Sequence, residues 1–175
     1  MNHKEIKALQ ERTDAKLRYA QVHLNELKTQ GPPSGDDFDK AHQESFLFHL
    51  LGAREAFLHE LNFYYQVELQ PEELSLGKIR DAAIERGTSY SEATILYKLG
   101  KDKSSWYSCA KDMRDENTHV RGALRAYYLG GKNHQKVKLK NPKTGILTDH
   151  FIDEFDDWLN EMTKLILSLR KSAKS

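Results

Sequence analysis

The chain has 175 residues, of which 30% are charged and 38% are hydrophobic, and its formal net charge at pH 7 is +1. This balance excludes an intrinsically disordered chain and is typical of a helix-rich protein, so we expect one helical-bundle domain over residues 1–175. A single cysteine, Cys109, excludes a disulfide within these residues, and no segment is apolar over a membrane-spanning length; we therefore expect a cytoplasmic protein with no membrane partner.

Charge is distributed unevenly along the chain. Residues 36–73 contain nine acidic and two basic side chains, a net charge of −7, whereas residues 98–143 contain twelve basic and four acidic side chains, a net charge of +8. Positive charge in the second segment favours binding of phosphate or nucleic acid. Alternatively, the two segments neutralise each other within the fold or across a dimer. The sequence leaves both interpretations open.

Apolar periodicity predicts two long helices at the start of the chain. The first spans residues 3–29 and carries an apolar stripe at nearly heptad spacing, which is typical of a long antiparallel helix pair. A Gly- and Pro-rich hinge, residues 31–37, separates it from a second helix that runs from about Asp37 to Val67. The inner face of this second helix is wide and aromatic, so we expect it to be the central helix of the bundle.

Three further helices are predicted in the middle of the chain. One opens at Pro71 and continues to residue 86, and a capping-box pattern at residues 89–92 begins a short helix that ends at Leu99. The third is a strongly amphipathic helix over residues 104–128, with Ser104 or Ser105 as its cap and two glycines beyond its end.

The last part of the chain predicts a hairpin and a helix. Alternating apolar and basic residues on either side of the turn Asn141–Gly145 predict a small β-hairpin insertion near residues 136–148. Asp149 can cap a final helix over residues 150–170, and residues 171–175 are expected to form a frayed tail. The predicted fold class is therefore all-α, an up-and-down bundle of four main helices with one or two short helices and this hairpin.

The helix over residues 104–128 combines a cation, a titratable imidazole and hydrogen-bonding groups in the segment Arg114-Asp-Glu-Asn-Thr-His119. An arginine presents a fixed fork of donors that matches phosphate oxygens. A histidine can take up and release a proton near neutral pH. An arginine followed by a polar residue and, five positions on, by a histidine resembles the motif of the HEPN superfamily of helical-bundle domains.

The HEPN resemblance covers mainly the second helix through Tyr128, and it implies a function. It implies a metal-independent endoribonuclease of a bacterial toxin or defence system, which binds RNA, works as a homodimer and has a protein partner such as an antitoxin. Arg114 would hold the scissile phosphate and His119 would exchange protons as the 2′-hydroxyl attacks, while Asp115 and Asn117 would orient these groups. The resemblance implies neither a cofactor nor a bound metal.

Basic residues that follow the motif are expected to bind the nucleic-acid backbone. They are Arg121, Arg125, Lys136, Lys138 and Lys140. The three lysines of the predicted hairpin have an alternative explanation, because edge strands carry lysines to prevent aggregation.

The motif also has competing interpretations. Two other Arg-to-His copies, Arg18–His23 and Arg54–His59, lack Asn, Asp or His after the arginine and lie in the early helices, where the family does not place its site. On an ideal helix, moreover, five residues place Arg114 and His119 about 140° apart. A non-catalytic helical interaction or dimerisation protein could use the same polar helix, with Arg114 held in an ion pair.

A metal site on the second helix is the weakest alternative. Glu116 precedes His119 by three residues and Asp39 precedes His42 by three, and such pairs on two helices are reminiscent of di-metal helical bundles. His42 and His49 also share one face of the second helix. The first and last helices offer no carboxylate on their apolar faces to complete such a site. If the HEPN interpretation holds, we expect one of these histidines or Glu60 to line the cleft instead.

Overall fold

The computed structural model describes residues 3–30, 36–87, 91–119, 125–127, 137–141, 143–145 and 150–173, and for residues 116–119, 125–127, 137 and 139 it describes the backbone only. Within these residues the fold is an all-α bundle, as the sequence predicts. The helices are α1 (His3–Thr29), α2 (Asp37–Tyr64), α3 (Leu76–Glu85), α4 (Ser91–Lys101), α5 (Trp106–His119) and α6 (Phe151–Ser172). A 3₁₀ turn (Pro71–Glu73) precedes α3, and two short strands, β1 (Arg125–Tyr127) and β2 (Val137–Leu139), lie between α5 and α6.

The first two helices pack against each other along their whole length. Their contacts run from His23–His42 near the hinge to a hydrogen bond of 2.7 Å between Gln10 and Tyr64 at the far end, so the pair is antiparallel. The predicted bounds of α1 are confirmed, because the apolar stripe is the face that α1 buries. The buried side chains of α1 are Ile6, Thr13, Ala20, Leu24 and Leu27.

The second helix ends three residues earlier than predicted. The backbone of Gln66 and of Glu68 adopts positive φ angles, 53° and 57°, which an α-helix does not accommodate. The side-chain amide of Asn62 holds this exit by a pair of 3.0 Å hydrogen bonds with the backbone of Leu69. The predicted helix from Pro71 consequently divides into the 3₁₀ turn and α3, whose N-cap is Ser75.

The hydrophobic core lies around α2, which contacts α1, α3, α5 and α6. Phe46 of α2 stacks on Phe155 of α6 with ring centroids 4.3 Å apart, and both side chains are fully buried. Helix α6 continues to Ser172, two residues beyond the predicted end, because its last turn is bonded to the rest of the bundle. The predicted cap Asp149 lies outside the described residues.

The amphipathic helix predicted over residues 104–128 is shorter in the structure. The serine cap is confirmed, because the Ser105 hydroxyl oxygen accepts the backbone N–H of Ser108 at 3.0 Å. The prediction is wrong at Arg125–Tyr127, which form β1 rather than helix. The sequence has a glycine at position 122, a residue with low helix propensity, and β1 finds backbone partners in β2.

The β-hairpin predicted near residues 136–148 is not seen. Strand β2 does lie in the first half of that segment, but it pairs antiparallel with β1, in a register that places Arg125 opposite Leu139. Residues 146–148, the predicted second strand, lie outside the described residues. The turn itself forms, because the side-chain oxygen of Asn141 accepts the backbone N–H groups of Lys143 and Thr144, each at 2.9 Å.

No helix in the described part of the chain is both long and apolar enough to cross a membrane.

Candidate nucleic-acid interface

Arg114 projects from α5 with about a third of its side chain exposed, and its guanidinium is bonded to the next residue. Its Nη2 and Nε atoms donate to Oδ1 of Asp115 at 2.8 and 3.1 Å. The other carboxylate oxygen accepts from Lys111 at 2.9 Å. Burial raises the pKa of Asp115, but these two cations outweigh it and hold the pKa below its ordinary value. Asp115 is therefore an anion that is paired with Arg114.

The other motif residues are placed only in part. Asn117 and His119 lie in the last turn of α5, but their side chains are outside the described residues. The structure therefore fixes the arginine of the motif and leaves the convergence of Arg114 with His119 a prediction.

The basic residues expected to bind the nucleic-acid backbone are also placed in part. Arg121 and Lys136 lie outside the described residues. Arg125 lies in β1, and Lys138 lies in the paired strand β2. Lys140 is exposed and is the first residue after β2. The strand pair thus brings Arg125, Lys138 and Lys140 onto one two-stranded ribbon.

Arg114 opens onto a cavity of about 250 Å³ between α1, α2 and α5. We call this space the basic cavity. Its lining contains three cationic side chains, one histidine and one carboxylate. The lining residues are Arg12, Lys16, Phe48, Gly52, Glu55, Ala56, His59 and Arg114. Neither His42, His49 nor Glu60 is among the described residues that line it; the histidine of this lining is His59. The expectation that one of those three residues lines a HEPN-like cleft stays a prediction.

His59 faces the basic cavity from α2. Burial, and then the positive charge of Arg12, lower its pKa, while the nearby Glu55 carboxylate acts in the opposite direction. Glu55 in turn accepts from Arg54 at 2.5 Å, and the Arg54 guanidinium lies 5.9 Å from the ring centre of Tyr107. At neutral pH the imidazole of His59 is therefore held in its neutral form beside an arginine of a different helix.

The sequence gives a partial signal for this cavity. Arg12 and Lys16 are one turn apart on α1, and Glu55 and His59 are one turn apart on α2, so each pair shares a helix face. The HEPN pattern does not identify these residues. His59 belongs to the Arg-to-His copy Arg54–His59, which was set aside because it lies in an early helix. Only the packing of α5 against α2 brings Arg114 to the same place.

A larger cavity of about 440 Å³ lies further along α2 and shares His59 with the basic cavity. Its ionisable lining residues besides His59 are Glu5 and Glu68. Two carboxylates repel an anionic ligand, so this larger space is not the candidate phosphate site.

Three histidines cluster between α1 and α2 on the side nearer the hinge. The Nδ1 atoms of His23 and His42 are 3.1 Å apart, and the rings of His23 and His49 stack with an interplanar angle of 8°. These contacts place His42 and His49 at the interface of α1 and α2. No group of three or more His, Cys, Asp or Glu side chains in the described ranges is arranged to hold a metal ion.

No protein-family model matches this chain, and searches of the curated proteins and of the solved structures likewise give no match. The resemblance of residues 114–119 to the HEPN motif therefore stands on those residues alone.

Proposed function

We propose that this protein binds RNA and cleaves it without a metal ion, in the manner that its HEPN-like motif implies. The observation that carries the proposal is the position of Arg114, which is partly exposed, oriented by Asp115 and open to the basic cavity. A bacterial toxin or defence role, a homodimer and a protein partner belong to the same proposal.

The proposed chemistry needs two groups of this chain. Arg114 binds the non-bridging oxygens of the scissile phosphate through its fork of donors. His119 takes the proton of the 2′-hydroxyl as its oxygen attacks the phosphorus. The bond to the 5′-oxygen then breaks, and the 5′-oxygen receives a proton from His119. No oxidant, cofactor or metal enters this exchange.

The test is cleavage of a mixed RNA pool in EDTA by the wild type, Arg114→Ala and His119→Ala. We expect cleavage by the wild type and a loss of at least about 100-fold in each variant, because proton transfer by a positioned side chain contributes at least that much and so does a donor placed at developing negative charge. Arg18→Ala is the matched control, since it removes the arginine of another Arg-to-His copy, one held in an exposed ion pair. Cleavage that survives both motif substitutions would contradict the proposed site.

A second candidate function is a non-catalytic interaction protein. It is favoured by the ion pair itself, because a carboxylate already occupies the face of the Arg114 guanidinium that would meet phosphate. Large apolar side chains are also exposed on α1 and α2, namely Tyr19, Val22 and Phe48. Wild-type protein that neither binds nor cleaves RNA, yet loses self-association in sedimentation when Phe48 is replaced by Ser, would favour this second function.

A further inference from the structure

We propose that Arg12 and Lys16 of α1 form a phosphate-binding subsite in the basic cavity, beside Arg114. On the proposed function, on which this inference rests, the subsite holds a backbone phosphate of the RNA beside the one that is cleaved. The HEPN resemblance assigns no role to α1, and the subsite therefore adds a helix to the nucleic-acid interface.

The first argument is the charge that the cavity leaves uncompensated. Within the part of the chain that the structure describes, neither Arg12 nor Lys16 has a carboxylate within ion-pair distance. The one acidic side chain of the lining, Glu55, is already paired with Arg54. Its negative charge is thus largely balanced and does not repel an anion. An unpaired arginine and lysine on one helix face attract a phosphate group.

The second argument is the way in which Lys16 is held. Its aliphatic chain crosses α2 at Gly52, where a Cβ atom would lie 3.5 Å from Lys16 Cδ. Its ammonium group lies 5.0 Å from the ring centre of Phe48, a cation–π distance. The ammonium group of Lys16 is therefore directed along the cavity wall, because Gly52 leaves room for the aliphatic chain and the Phe48 ring attracts the charge. Less side-chain entropy then remains to be lost when an anion binds.

The third argument is size. Sites for drug-sized ligands occupy about 300–1,000 Å³. The basic cavity, at about 250 Å³, lies below that range. It therefore has room for a phosphate group and is smaller than a typical site for a drug-sized ligand. A chain of phosphates that passes over the cavity can place one group inside while the bases stay in solvent.

The experiment measures binding separately from cleavage. A fluorescein-labelled 2′-O-methyl RNA oligonucleotide lacks the attacking hydroxyl, so its affinity can be followed by anisotropy across a salt series. We expect Arg12→Ala and Lys16→Ala each to weaken binding about tenfold. Each should also reduce the slope of log K against log salt by about 0.7, the value for one phosphate contact on a single strand. Lys7→Ala is the matched control, because it removes one charge from an exposed position of α1 outside the cavity.

A second arm uses inorganic phosphate alone. Thermal unfolding in sodium phosphate is compared with unfolding in sodium chloride of equal ionic strength, and we expect phosphate to raise the Tm of the wild type but not that of Arg12→Ala or Lys16→Ala. Circular dichroism of each variant verifies the fold.

The outcomes separate the two proposals. Oligonucleotide binding that is equal in wild type, Arg12→Ala and Lys16→Ala overturns the subsite and leaves RNA binding at Arg114 intact. Phosphate stabilisation that depends on Arg12 and Lys16, without any RNA binding, supports the subsite and contradicts the proposed function. A wild type that responds to neither probe overturns the subsite, whereas Arg114-dependent cleavage would still support the function.

Discussion

At the scale of single residues, Arg170, which is not a motif residue, is held by several partners at once. Its guanidinium donates to both carboxylate oxygens of Glu60 at 2.8 Å, to Asp14 at 2.8 Å and to the backbone oxygen of Gln10 at 3.1 Å. Burial lowers the pKa of Arg170, but the charges of Glu60 and Asp14 raise it further, so the group stays protonated. One side chain thereby connects α1, α2 and α6.

Replacing Arg170 should therefore be costly. In Arg170→Met, Glu60 keeps a buried charge without its partner, and we expect the free energy of unfolding to fall by about 3–5 kcal/mol. The measurement is urea denaturation followed by circular dichroism. Arg18→Ala is the control, because its pair with Glu11 is exposed and its loss should leave the stability nearly unchanged.

The double variant Arg170→Met with Glu60→Met sharpens this test. An apolar pair of similar volume removes the uncompensated charge, so most of the lost stability should return. If the double variant is as unstable as the single one, the cost comes from packing at Arg170 and not from its charge.

Residue-scale features were predictable only where one helix face decides them. Helical spacing along α2 puts Glu60 on the same face as the apolar core residues, and it is buried there. Arg170 was not recognised, because a basic residue in the last turn of a helix normally lies in solvent and interacts with the helix dipole. His59 was discounted for its position in the chain. Both residues take their roles from a neighbouring helix, which a pattern within one helix does not reveal.

At the scale of elements, apolar periodicity predicted the long helices well and the shorter ones less well. Helix α1 has the predicted bounds because its stripe is continuous from end to end. Helix α2 stops early where two residues adopt positive φ, and nothing in their identity, Gln and Glu, signals this. The strand at Arg125–Tyr127 was missed because its partner strand begins ten residues further along the chain. Pairing between distant segments overrides local helix propensity there.

The C-terminal end of α6 is fixed by a buried carboxylate of α4. Glu92 accepts from the Tyr65 hydroxyl at 2.6 Å and from the hydroxyl of Ser172. Burial alone raises the pKa of Glu92, but these donors outweigh it and hold the pKa below its ordinary value. The carboxylate is therefore charged, and each hydrogen bond that it accepts from a hydroxyl group stabilises this charge.

Tyr65→Phe removes one of these donors without changing the shape of the core. We expect the free energy of unfolding to fall by about 1.5–3 kcal/mol, the range for a hydrogen bond to a charged group. Hydrogen exchange should also become faster at the end of α6, and this readout distinguishes loss of the anchor from general loosening. Tyr19→Phe, at a half-exposed position, is the control and should leave both quantities nearly unchanged. Equal effects of the two substitutions would contradict the anchoring role.

At the scale of the whole molecule, we expect the packing of α1 against α2 to be sensitive to protons. Burial lowers the pKa of His23, and the neighbouring His42 lowers it further, while Glu26 acts in the opposite direction. Burial also lowers the pKa of His49, and the positive charge of Lys16 adds to this effect. A histidine whose pKa is lower in the folded state binds protons more readily when the chain unfolds. Its contribution to stability is thus complete above the unfolded pKa, about 6.5, and is lost as the pH falls through the folded value.

The bundle should therefore lose stability between about pH 7 and pH 5, where histidines with lowered pKa values take up protons. We expect the free energy of unfolding, measured in urea at several pH values, to decrease over this interval and to decrease less steeply in His23→Gln and His49→Gln. His3→Gln, which replaces an exposed histidine outside the cluster, is the control and should keep the wild-type slope. Loss of stability confined to pH values below about 4 would instead assign the acid sensitivity to carboxylates such as Glu92 and Asp115, whose pKa values are lowered. In that case protonation of the histidine cluster would not control how firmly α1 and α2 pack together.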